Sequence, residues 1–126
     1  MTALDLSGFT GTSQYVRWSP LFKDVLTEGT HHVAEEFGAY WLFDLIASHL
    51  MGIKAKGEGE GFVTANLTVL RRDGVHKATV VMTDGNDNQL AKQDIDYTDF
   101  PAGEIRFFAV FDHTLNGYVI MLPTEY

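Results

Sequence analysis

His31, His32, Glu35 and Glu36 come closest to a metal-ligand pattern in this chain. His31–Glu35 and His32–Glu36 are each spaced i, i+4, so on a helix either pair could share an ion. Adjacent helical residues point about 100° apart, however, so both histidines cannot reach one ion. The His-Glu-x-x-His spacing of zinc proteases is absent, and His49 lies about five helical turns away. A solvated helix start with favourable early glutamates explains these residues, and no metal site is expected. Asp44 is a second candidate. It stands among Tyr40, Trp41, Phe43 and Leu45, where a carboxyl with a raised pKa could act as acid or base. The sequence supplies it no secure partner. His113, beside Asp112, falls in a loop. A wet strip of helix, or a bond to a loop, explains Asp44 as well, and no catalytic residue is assigned.

Other motifs fail on spacing. Asp84-Gly85-Asn86-Asp87-Asn88 suggests calcium, but Gln89 and Ile95 occupy the positions where a calcium loop needs glycine and glutamate. A tight turn accounts for it. Gly57, Gly59 and Gly61 precede a strand and lack the lysine of a phosphate loop. Ser7, Ser13, Ser19 and Ser48 have no nucleophile-elbow context. Arg71-Arg72 is too small to bind nucleic acid. What remains is acid: Asp84, Asp87, Asp94, Asp96 and Asp99 fall within sixteen residues, with only Lys92 as a counter-charge. On a strand Asp94 and Asp96 would share a face about 6.5–7 Å apart, near the phosphate spacing of a nucleic-acid strand. Glu58 and Glu60 could extend the patch. These five aspartates are the expected partner-binding residues.

Composition bounds the classes available. The chain has 126 residues, 45% hydrophobic, and a formal net charge of -8. That length predicts one domain over residues 1–126. The acidity argues against direct nucleic-acid binding and fits either plain solubility or docking on a basic partner. No apolar run reaches membrane-spanning length, and MTALDLSGFTG shows no secretion signal. Cysteine is absent, which excludes thiolate metal sites and makes a cytoplasmic setting the default. No cofactor is expected.

The elements that must position these residues fall into two halves. Residues 1–18 read as an irregular lead-in with room for one turn near Gln14–Arg17. Ser19-Pro20 is a helix-start signal, predicting a short helix to about Leu26. Thr30 to Met51 reads as one long central helix, with Ala34, Gly38, Trp41, Leu42, Leu45, Ile46 and His49 on one stripe and Gly52 as terminator. Lys54–Gly61 is a loop. From Phe62 the pattern alternates, with turns at Asp73-Gly74, Asp84–Asp87 and Asn116-Gly117. Ala91, Gln93, Ile95 and Tyr97 should face inward on the third strand. The expected fold is α+β: helices over about 14–51 packed on a five-stranded antiparallel meander over about 62–122.

The last two strands lack alternation, so both of their faces need cover. Phe108 and Val110 form the second row on one strand; Val119 and Met121 form a row on the next. The cover is either the N-terminal segment with Phe9, Trp18 and Phe22, or a second copy of the chain in a homodimer, or a partner.

Four segments carry a resemblance: Phe9–Thr12, Gly38–Asp44, Tyr97–Pro101 and Leu122–Tyr126. With them the chain resembles, over nearly its whole length, an uncharacterised family of small prokaryotic proteins also carried on phages and plasmids. The resemblance supplies no catalytic residues. It implies a mobile-element setting, in which a small acidic protein is expected to block a host defence complex, in the manner of an anti-CRISPR inhibitor or DNA mimic. The main expectation is therefore a non-enzymatic binding protein with a protein partner that handles nucleic acid, and no membrane. One alternative is a small-molecule binder or enzyme with a helix–sheet pocket around Trp41, Tyr40 and Asp44. Another is a self-associating module that uses Phe108, Val110, Val119 and Met121.

Overall fold

A computed structural model describes residues 15–126 of the chain. The expected lead-in before Tyr15, including Phe9–Thr12, lies outside the described residues. The order of elements is β1 (Tyr15–Val16), β2 (Val25–Thr27), α1 (Glu28–Phe37), α2 (Tyr40–Ala55), β3 (Phe62–Arg72), β4 (Val75–Thr83), β5 (Gln89–Ile95), β6 (Gly103–Asp112) and β7 (Gly117–Met121). Two helices and one seven-stranded mixed sheet replace the expected long helix and five-stranded antiparallel meander.

The single central helix is corrected to two. Thr27 caps α1, its hydroxyl accepting from Thr30 N, and Gly38 ends it in the left-handed region at φ 58°. Ala39 N then donates to Ala34 O at 2.9 Å. Glycine has no Cβ to oppose that conformation. A glycine on an apolar stripe adds no side chain to it, so the period alone hides the break. Gly52, expected as the terminator, lies inside α2. Ile53, the next residue, is buried, and the helix runs on to Ala55.

The helix expected from Pro20 is absent. Ser19 Oγ instead accepts from Leu21 N in a local turn. Val25, Leu26 and Thr27 form β2, which pairs parallel with β7 and antiparallel with β1. A three-residue strand whose main partner is remote in sequence leaves no local signature.

The five strands from Phe62 onward form as expected but not in meander order. The sheet runs β1-β2-β7-β6-β3-β4-β5. β6 returns beside β3 rather than β5, with Ala65 opposite Phe107 and Val63 opposite Ala109. The connection is pinned where it crosses: Thr98 N donates to His76 O, and buried Phe100 stacks on Phe37 at 4.7 Å. The Asp73-Gly74 turn holds, with both residues at positive φ. Asn116 closes a longer loop, in which Asp112 Oδ1 accepts from Thr114 N and Leu115 N.

Both helices cover one face of the sheet. Val63, Leu67, Val80, Met82, Phe107 and Ile120 pack there with Leu42, Phe43, Ile46 and Leu50, all at most 1% exposed. Each such side chain contributes about 1.5–3 kcal/mol. His49 Nε2 and Gln93 Oε1, 2.8 Å apart, tie α2 to β5. Among the described residues no helix covers the opposite face.

Candidate functional site

The aspartates expected to bind a partner lie on and around β5, an edge strand of the sheet among the described residues. Asp94 Oδ1 accepts from Thr79 Oγ1 at 3.0 Å on the open face. Asp96 falls just beyond the strand, and Asp99 accepts from the Tyr97 hydroxyl at 2.6 Å. Tyr97, expected inward, is 65% exposed and lies past the strand end. Asp84 is spent within its own loop. Asn88 Nδ2 donates to Oδ2 at 2.7 Å and Asn86 N to Oδ1 at 2.8 Å, which holds this carboxyl below the usual range. Asp87 lies in the same loop at φ 67°. The acids thus form two groups, one at each end of a seven-residue strand, about 20 Å apart. Among the described residues none of the five is in ion-pair reach of lysine or arginine; His31 and Glu35 do pair, at 3.5 Å.

The helix candidates are dispersed. Asp44 is exposed, and its Oδ1 accepts from the indole N–H of Trp18 at 2.9 Å. Tyr40 donates to Glu35. Desolvation, and then that bond, push the phenol up to about 12. Trp41 is 36% exposed. The cavities described below are not lined by Tyr40, Trp41 or Asp44. Among the described residues no three of His, Asp and Glu gather to hold a metal. His113 packs edge-on against Phe111.

On the open face, the apolar rows of the last strands meet. Phe108 lies opposite Met121, and Val110 lies between Val119 and Phe62. Val119 is buried, while Phe108, Val110 and Met121 are half-buried. Part of their cover is intramolecular: the ring of Tyr126 packs edge-on against Phe62 and Phe108, at 5.6 and 5.4 Å. Trp18, a candidate for this cover, packs on Phe43 over the helical face instead, and Phe22 stacks on Trp18.

Sequence reasoning missed a buried polar group on the helical side. Asp24 is 6% exposed, and its Oδ1 accepts from Tyr118 N at 2.7 Å. Burial raises this carboxyl above its ordinary range, against the lowering effect of that bond. Tyr118 is 3% exposed, and its hydroxyl has no hydrogen-bond partner among the described residues. Burial, and then the Asp24 charge, raise its pKa as well. The strap carrying Asp24 crosses Gly117, where an added Cβ would meet Lys23 O at 2.6 Å. Under the strap is a cavity of about 270 Å³ lined mainly by apolar side chains, with Phe22, Leu50, Phe111 and Tyr118 among its walls. Exposed Leu21 and Met51 stand at its rim. Lys54 Nζ lies 4.0 Å from the centroid of the Phe111 ring. An acid inside the apolar run Leu21–Leu26 was the one signal that could have marked Asp24. Three further hollows lie around the Gly57–Gly61 loop and Arg106.

Residues 1–126 match the model of a family of unknown function (DUF6876). The chain belongs to that family. No curated protein and no solved structure matches it. In this DUF6876 protein the described segments that carried the resemblance act as pegs of the fold. Gly38 breaks the helices, and Phe100 docks the crossover on Phe37. Glu125 is buried and accepts from Thr27 Oγ1, Gly29 N and Leu122 N. No helix of the described residues is long and apolar enough to cross a membrane.

Proposed function

We propose that the protein is a non-enzymatic binding protein that docks through its acidic β5 edge on a basic protein surface. The observation that carries this reading is the uncompensated edge. Among the described residues, Asp84, Asp87, Asp94, Asp96 and Asp99 lie on and beside a strand that has a neighbour on one side only, and no lysine or arginine pairs with them. A chain of net charge -8 steers towards positive surfaces, and a free edge strand can accept an extended segment as a further strand. Charges on an edge also block pairing between copies of the same chain, which keeps the edge open for a different partner. The resemblance to phage- and plasmid-borne proteins makes a nucleic-acid-handling defence complex, as in anti-CRISPR inhibition, the class of partner. On that reading the acids meet lysines and arginines that otherwise hold nucleic acid.

The test is capture from a bacterial lysate carrying defence complexes, with the full chain as bait, at low and high salt. A nucleic-acid-binding complex that is retained at low salt, released at high salt and competed by DNA supports the reading. The double substitution Asp94→Lys with Asp96→Lys should abolish capture while the fold is kept, since both side chains are exposed. Capture that survives the double reversal would sink it.

A further inference from the structure

We infer that the cavity beneath the Asp24 strap binds a small aliphatic monocarboxylate, its tail between the strap and α2 and its head group at Lys54. The tail follows from the walls. Phe22 on the strap, Leu50 on α2 and Phe111 on β6 enclose a space of about 270 Å³, slightly below the range of about 300–1,000 Å³ typical for drug-sized ligands. One short chain fits such a space better than a larger body. The rim extends it. Leu21 is 82% and Met51 61% exposed beside the opening, apolar surface that a chain reaching out of the cavity would cover.

The head group follows from charge. Lys54 Nζ lies 4.0 Å from the centroid of Phe111, itself a wall of the cavity, so an ammonium already stands beside the apolar space. Lys23, on the strap, is a second exposed lysine of the lining. Neither is in ion-pair reach of a carboxylate among the described residues. A carboxylate at the mouth supplies their counter-charge and stays in water, while the tail behind it leaves water. Asp24 sets the direction. Its carboxyl is 6% exposed and accepts from Tyr118 N, and when ionised it opposes a second anion in the buried part of the lining. The exposed side that carries the lysines is left for the head. An ammonium head would meet like charges at that side.

Octanoate, octanol and octylammonium are the probes. They share one tail and differ in the charge of the head. Each is titrated at neutral pH into the 15N-labelled full chain and followed by backbone amide shifts. Octanoate should shift Phe22, Met51, Lys54 and Phe111 and bind about fivefold more tightly than octanol, with octylammonium weakest. The preference for octanoate should shrink at high salt, since the lysines are exposed. The double substitution Lys23→Gln with Lys54→Gln removes both charges. Its spectrum without ligand serves as the control for folding, and in it octanoate should bind no better than octanol, whose own affinity is unchanged. Three results would overturn the assignment: no shift at these residues with any probe at millimolar concentration, octanol binding as tightly as octanoate, or an octanoate preference that survives the double substitution.

Discussion

Glu125 Oε1 accepts a hydrogen bond from Thr27 Oγ1 at 2.6 Å across 98 residues of sequence. The other oxygen of Glu125 accepts from Gly29 N, so this carboxylate sits at the start of α1. A negative group there is favoured by the helix dipole and satisfies donors that a helix start leaves open.

Glu125→Ala should therefore cost about 2–4 kcal/mol, because Thr27 Oγ1, Gly29 N and Leu122 N all lose their acceptor in a buried place. Glu125→Gln should recover only part of the loss, since its amide nitrogen cannot accept. Urea unfolding midpoints decide it; a midpoint unchanged in both variants would remove Glu125 from the account of the fold.

Two glycines should respond in opposite directions to alanine. At Gly117 the new Cβ would meet Lys23 O at 2.6 Å, backbone that cannot yield without moving the strap. A cost of about 1–3 kcal/mol is expected. At Gly52, inside α2, the Cβ meets nothing within 4 Å. Alanine there should stabilise by about 0.5–1 kcal/mol. Thermal melts of the two variants side by side test both statements.

Asp24 gives a pH dependence of defined sign. Burial raises its folded-state pKa above the ordinary 3.8, so the folded chain holds this proton more tightly than the unfolded one. The stability it contributes is complete below 3.8 and is lost as pH rises through the folded value. Asp24→Asn keeps an acceptor for Tyr118 N and removes the titration. Measured between about pH 3 and pH 7, the stability of the variant relative to the parent should rise with pH. A difference that stays flat across that range would mean the carboxyl is not desolvated.

Phe108 separates core from interface. It is half-buried between Phe62 and Tyr126, so Phe108→Glu should lower stability by about 1–3 kcal/mol and leave the elution volume in size-exclusion chromatography unchanged. A shift to slower elution with stability intact would instead place a second copy of the chain on this face.

The sheet was legible from Phe62 onward because half-buried strands advertise themselves by alternation. Val63, Leu67 and Val69 needed no distant information to be read as one face. Order in the sheet was not legible, because nothing local to Ile105 or Phe107 states that β3 rather than β5 is their neighbour. The break at Gly38 was hidden by the very property that causes it, the missing side chain. β2 was read as helix because Ser19-Pro20 is a real turn signal, while Val25–Thr27 is a strand through the two-residue β1 and through β7, more than ninety residues later. In the candidate sites, the exposed acids of β5 could be found from composition. Asp24 and Tyr118 could not be paired, because the chain is silent on which residues of β7 lie under the strap.

The bond between Thr27 and Glu125 also sets a schedule for synthesis. A ribosome adds about 5–20 residues per second, so roughly 5–20 s separate the appearance of Thr27 from that of Glu125. Through that interval β7 is also missing, so β2 lacks its parallel neighbour and the first turn of α1 lacks its carboxylate. The β3–β4 hairpin, built from adjacent sequence, has its partners in hand much earlier. The nascent chain thus holds a paired β3–β4 hairpin before the residues that fix β2 and the start of α1 have been made.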